Sequence, residues 1–201
     1  MPSSVRFNRR ALLAAGALVA AVGGLNLIRR SSTAAVAATA TGEPGEVTIE
    51  KFDDSGKSLG MVTVAKVVKT DAEWQKQLAS APQADLAYTV TRHEDTEQPF
   101  TGPNWDNHSA GLYRCICCDN ALYTNDTKFD SGTGWPSFWQ PISKANVVEA
   151  NDTTFGMVRT KVSCTLCDAH LGHLFDDGPK PTGLRYCMDG VAMRFIAWPA
   201  V

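Results

Sequence analysis

The apolar positions change rhythm three times within the first eighty residues. A nearly continuous apolar run fills Ala11 to Ile28. After a joint at Gly42 to Gly45, Val47-Thr48-Ile49-Glu50 alternates apolar with polar, the two-residue period of a half-buried strand. Asp53-Asp54-Ser55-Gly56 has turn chemistry, and Leu59 to Val68 is apolar and rich in β-branched residues, so these pieces predict a small hairpin. Thr70 and Glu73 then have the spacing of a capping box, and Ala72, Trp74 and Leu78 can share one helical face. One short helix is expected there. From Tyr88 onward no long helical period is visible. Short strand-like runs are separated by turn clusters at Thr101-Gly102-Pro103-Asn104, Asp130-Ser131-Gly132, Asp176-Asp177-Gly178-Pro179 and Pro181-Thr182-Gly183. This pattern predicts a mainly β, mostly antiparallel domain.

Composition narrows the function classes. With 44 % hydrophobic and 20 % charged residues among 201, a packed core is available and wholesale disorder is excluded. A formal net charge of -2 offers no basic excess for a nucleic-acid partner. The apolar run follows Arg6, Arg9 and Arg10, no acidic residue precedes Glu43, and Ala38-Thr39-Ala40 ends the segment. A positive start, an apolar middle and an A-x-A end predict an export signal over residues 1–40, with a periplasmic destination. The Arg9-Arg10 pair points to the twin-arginine route, with the general secretory route and an uncleaved, outward-facing membrane anchor as alternatives. Residues 41–66 are then a linker and hairpin, and residues 67–201 the main domain, expected to be monomeric.

The six cysteines carry the first chemistry. Cys115-Ile116-Cys117-Cys118 and Cys164-Thr165-Leu166-Cys167 contain two C-x-x-C pairs. Two such knuckles can close a tetrahedron of thiolates, the ligand set of a structural zinc. Cys115, Cys118, Cys164 and Cys167 are the expected ligands, with one zinc per chain. Cys117 could replace Cys118 at poorer spacing, and two disulfides are the alternative an exported chain allows. Cys117 and Cys187 are left over. If the segment around Cys187 is extended, Arg185, Cys187 and Asp189 share a face. An arginine beside a thiol favours the nucleophilic thiolate, while a buried, inert cysteine is the competing reading.

His170 and His173 follow the second cysteine pair in His170-Leu171-Gly172-His173. With four thiols available for metal, they are free to act as acids near a thiol. The run Lys128-Phe129-Asp130-Ser131-Gly132-Thr133-Gly134-Trp135-Pro136-Ser137-Phe138 resembles the signature of the B-type peptide-methionine (R)-S-oxide reductases. His170 to Pro179, Thr182 to Cys187, Val90-Thr91-Arg92 with Thr96-Glu97, and both C-x-x-C pairs match the same family in order, over roughly Val67 to Trp198. The resemblance implies two small antiparallel sheets (β-tent-like) with few short helices and a structural zinc knuckle. It implies thiol-dependent repair of methionine sulfoxide in oxidised proteins, with Cys187 as nucleophile and His170 and His173 as proton donors. Arg185 and Asp189 flank the nucleophile, and the substrate methyl group is placed against Trp135, with Phe138 beside it. A thioredoxin-like reductant is the implied partner.

Two positions depart from the family pattern. Thr133 stands where many members carry a resolving cysteine, so an external thiol is expected to attack the oxidised Cys187, with Cys117 as the alternative internal resolver. Asp189 stands where the family usually has asparagine, which predicts an altered pH optimum or a weaker enzyme. Two other functions compete. A non-catalytic zinc-ribbon module would leave Cys187, His173 and Trp135 without a role. A zinc hydrolase using His170 and His173 would need an open metal position.

Overall fold

A computed structural model describes residues 44–152 and 159–199. The expected export signal over 1–40 lies outside the described residues. Among the described residues, no helix is long and apolar enough to cross a membrane. Eleven strands and two helices follow in order: β1 (Glu46–Phe52), β2 (Ser58–Ala65), α1 (Asp71–Leu78), α2 (Ala84–His93), β3 (Gly111–Cys115), β4 (Ala121–Thr124), β5 (Lys128–Phe129), β6 (Ser137–Phe138), β7 (Val147–Asp152), β8 (Arg159–Cys164), β9 (His170–Phe175), β10 (Arg185–Met188) and β11 (Met193–Ala197). All described strand pairs are antiparallel. They form the β1-β2 hairpin, a six-stranded sheet ordered β5-β6-β10-β9-β8-β7 and a three-stranded sheet ordered β11-β3-β4.

The core lies between the two larger sheets and is built on aromatic rings. Phe138 of β6 stacks on Tyr123 of β4 with centroids 4.4 Å apart, and Tyr113 of β3 meets Phe138 edge-on at 5.1 Å. Such pairs add about 0.5–1.5 kcal/mol each beyond the area they bury. The Tyr123 hydroxyl is paired at depth, donating to Met188 Sδ at 3.1 Å. The hairpin is tied to this body through buried Asn146, which sits in the turn before β7. Its Oδ1 accepts from Glu50 N, and its Nδ2 donates to the carbonyls of Glu50 and Ala121, each at 2.8 Å.

Helix α1 starts with the capping box read from Thr70 and Glu73, and buries Trp74 and Leu78. Ala72 is exposed, so the apolar face is narrower than its sequence suggests. Helix α2 is an element the hydropathy pattern did not announce. It buries Ala87, Val90 and Thr91, and its N-cap Gln83 is left-handed with no side-chain cap. The helix is amphipathic, but its capping signature is missing, so the sequence does not mark where it begins. The helix is held by packing and by Arg92, whose guanidinium lies over the Trp74 ring at 4.7 Å and donates to Cys167 O at 2.9 Å.

Candidate active site and metal centre

Both cysteine pairs close knuckles of the same design. Cys115 ends β3 and Cys164 ends β8. In each, the residue four positions on has a positive φ and donates its N–H back: Asp119 N to Cys115 O at 3.0 Å, and Asp168 N to Cys164 O at 2.9 Å. The pattern turns the chain so sharply that both thiols of each pair face one point. The Sγ atoms of Cys115, Cys118, Cys164 and Cys167 all lie within 4.8 Å of one another. Cys115 and Cys167 are 3.7 Å apart, and Cys118 and Cys164 3.5 Å. Four thiolates at about 2.3 Å from a tetrahedral zinc would be about 3.8 Å apart, so the quartet fits a metal of that size. The same spacings are far outside a sulfur–sulfur bond, and all six cysteines are free thiols. Cys117 and the two histidines belong to no ligand group among the described residues.

Cys187 sits elsewhere, at the centre of the six-stranded sheet. Strand β10 pairs with β9 on one side and β6 on the other, which sets Cys187 directly opposite His173 and Ser137. Residues facing each other across antiparallel strands project to the same side, so thiol and imidazole share a face. Gly172 is essential to this placement. Its φ is +143°, and a Cβ there would fall 2.2 Å from Cys187 O. Cys187, His173, Trp135, Asp189, Thr96 and Arg159 line a cleft of about 130 Å³, with Gly172 and Phe175 completing it. A larger groove of about 500 Å³ between β1 and the first knuckle touches none of Cys187, His173, His170 or Trp135.

The electrostatics around the thiol are mixed. Burial pushes Cys187 above its usual range and Asp189 adds to the rise, while Arg185 and the hydroxyls of Thr133 and Ser137 oppose it. The expectation that Arg185 favours the thiolate therefore holds in sign but does not win. Arg185 is committed to Asp177 through a two-pronged pair at 2.7 and 2.9 Å, and its guanidinium lies over the Phe175 ring. Asp189 is 2 % exposed, and burial raises its carboxyl to about 8. At pH 7 the protonated form then outweighs the ionised form roughly ten to one. His170 is buried with its ring 5.2 Å from that of His173 and inclined to it by 67°.

Glu97 ties three parts of the site together. Its N–H donates to Asp189 Oδ1 at 2.9 Å, and its carbonyl accepts from the Trp135 indole N–H at 3.2 Å. Its buried carboxylate accepts from Gly190 N at 2.7 Å and Val191 N at 3.0 Å, capping the 3₁₀ turn Gly190–Ala192. Sequence reasoning gave no chemical role to Glu97, Thr96, Arg159 or Ser137. Nothing in local spacing marks them, because they come from three separate segments, of which Thr96 and Arg159 line the cleft. Phe138 is not brought to the cleft. Alternation along β6 turns Ser137 toward Cys187 and Phe138 into the core, fully buried against Tyr123. Cys117 is also apart: its thiol neighbours are Cys115, Cys167 and Thr91, whereas those of Cys187 are Thr133, Ser137, Arg185 and Asp189. Thr133 Oγ1 lies 4.0 Å from Cys187 Sγ, where a resolving thiol would need to be.

The SelR domain model matches residues 84–197 of this chain. The peptide methionine sulfoxide reductase MsrB of Herminiimonas arsenicoxydans is 53 % identical over 134 residues, covering 67 % of this chain and 94 % of that protein. The MsrB of Hahella chejuensis is 52 % identical over 130 residues, covering 65 % and 90 %. The MsrB of Agrobacterium fabrum is 51 % identical over 134 residues, covering 67 % and 96 %. With Cys187, His173 and Trp135 lining one cleft, a domain matched at this level makes the chain a member of the SelR-domain MsrB family of peptide methionine sulfoxide reductases, which are oxidoreductases.

Proposed function

We propose that this protein reduces the (R) epimer of protein-bound methionine sulfoxide through Cys187, and that an external dithiol regenerates it. The observation carrying this reading is the register that sets Cys187 against His173 inside a cleft walled by Trp135. The Cys187 thiolate attacks the sulfoxide sulfur, and the sulfoxide oxygen takes a proton as negative charge grows on it. His173 is the nearest donor by register, His170 supports its ring, and neutral Asp189 offers a second O–H. The oxygen ends on Cys187 as a sulfenic acid, the sulfur leaves as a thioether, and the substrate has gained the two electrons the thiol lost. A thiol of the reductant then condenses with the sulfenic acid, releasing water and forming a mixed disulfide. The reductant's second thiol breaks it and restores Cys187.

Each sulfoxide epimer presents its methyl group and oxygen in mirrored positions. With the indole fixing the methyl side and the imidazole fixing the oxygen side, one hand alone can present its sulfur to Cys187. The four-cysteine centre suits zinc in a structural role, since a full thiolate set leaves no open position. We further propose export from the cytoplasm, on the strength of the Arg9-Arg10 pair and the apolar run after it. Sequencing the N-terminus of the mature protein checks this, and a start at Met1 refutes cleavage.

The deciding assay offers each epimer of a methionine sulfoxide peptide with dithiothreitol. Loss of the (R) epimer alone, abolished in Cys187→Ser, is the expected result. Equal consumption of both epimers, or activity surviving in Cys187→Ser, refutes the proposal.

A further inference from the structure

Two large aromatic side chains stand in solvent, one of them packed over Gly134, the neighbour of cleft-lining Trp135. Phe100 is 54 % exposed and Trp105 37 % exposed. Their rings meet edge to face with centroids 5.2 Å apart. Single exposed apolar residues are ordinary and need no explanation. This pair is different, because the backbone is arranged to hold it there. Phe100 adopts φ +64°, in the left-handed region that bulky residues rarely enter. Its N–H donates to Gly134 O at 2.9 Å. Gly134 itself has φ +88°, and a Cβ there would come within 2.7 Å of the Phe100 ring. The ring therefore lies over the residue that precedes Trp135. The segment that carries it is anchored from the other side as well, by Glu97, which holds the Trp135 indole. Trp105 is fixed through its carbonyl, which accepts from Lys128 Nζ at 3.0 Å.

We propose that Phe100 and Trp105 form a docking platform that continues the Trp135 wall out of the cleft. Its occupant is an apolar side chain flanking the oxidised methionine in an extended or unfolded substrate polypeptide. The inference rests on the proposed methionine sulfoxide reductase reading and adds to it a preference for sequence context. A cleft of about 130 Å³ accepts little more than one side chain, so the rest of a polypeptide substrate must cross its rim. Methionine belongs to apolar cores and interfaces, and its oxidation to a polar sulfoxide disrupts them. The residues beside a sulfoxide needing repair are therefore commonly apolar. An exposed aromatic pair next to the reacting cleft is the complementary surface, contributing contact area with little side-chain entropy to lose.

The test compares two pentapeptides with a central methionine (R)-sulfoxide, one flanked by Leu and Phe, the other by Ser and Gly, both with dithiothreitol as reductant. The wild type is expected to favour the apolar-flanked peptide by about five- to tenfold in kcat/KM, mainly through KM. Phe100→Ser and Trp105→Ser are each expected to reduce this preference, and the double variant to remove it. A wild type without preference overturns the proposal, and so do variants that keep it. If the variants keep the preference but slow turnover only with a protein dithiol, the platform belongs to the reductant, and the proposal falls. Failure of the wild type to reduce either peptide would instead sink the parent reading.

Discussion

Replacing Asp189 with asparagine should make the protein more stable, by an amount that grows with pH. Asp189 is buried beside Cys187, and its carboxyl is raised from 3.8 to about 8, first by burial and then by the nearby carboxylates of Glu97 and Asp95. Between these values the folded protein binds a proton that the unfolded chain has released, so folding becomes less favourable as pH rises. Each pH unit in this window is worth about 1.4 kcal/mol, giving an upper bound of about 1.6 kcal/mol at pH 5 and about 4 kcal/mol at pH 7. An amide keeps the Oδ1 that accepts from Glu97 N and never ionises. The site relaxes around the ionised carboxylate, so the expected gain is about 1–3 kcal/mol at pH 7. Urea unfolding of Asp189→Asn and wild type at pH 5, 7 and 8 reads it directly. Activity should follow a matching rule. The wild-type rate should rise with pH as Cys187 ionises and fall near pH 8 as Asp189 loses its donor proton, and the amide variant should lack that fall. A stability difference that does not change with pH, together with superimposable pH–rate profiles, would refute the reasoning.

Three further outcomes follow from the geometry. Thr133→Cys places a thiol where Oγ1 now lies 4.0 Å from Cys187 Sγ, so one turnover without reductant should leave an internal disulfide. The wild type should instead hold a sulfenic acid that a dimedone probe captures, and mass spectrometry distinguishes the two. Cys118→Ser removes one of four thiols in the cluster and should lose the zinc proposed for it and most of the cooperative unfolding transition, as measured by metal analysis and thermal melts. Phe138→Ala should act on stability rather than on substrate affinity. Deleting a fully buried ring from the Tyr113–Tyr123 stack costs about 3–5 kcal/mol, whereas KM should change little in whatever fraction remains folded. A large KM effect at unchanged stability would return Phe138 to the substrate site.

The chain reveals in one dimension whatever depends on local spacing. The capping box at Thr70 and Glu73, the alternation of β1 and the two C-x-x-C pairs are local patterns, and each is present in the fold where the sequence places it. Cys187 stood out for a related reason, being the thiol left over outside the cysteine pairs. Helix α2 was missed because nothing marks its start: its N-cap Gln83 is left-handed and makes no side-chain cap bond. Phe138 was misplaced because a two-residue strand shows no period, and only pairing with β10 decides which face each residue takes. Tertiary structure also decided the electrostatics. Sequence proximity of Arg185 suggested a lowered thiol, but burial outweighs an arginine already paired with Asp177. Glu97 shows the limit most plainly: its bonds to Asp189, Gly190, Val191 and Trp135 join positions 38 to 94 residues apart. Ligand spacing and strand period are properties of neighbours along the chain. Desolvation, strand register and the meeting of distant loops exist only once the sheets have closed.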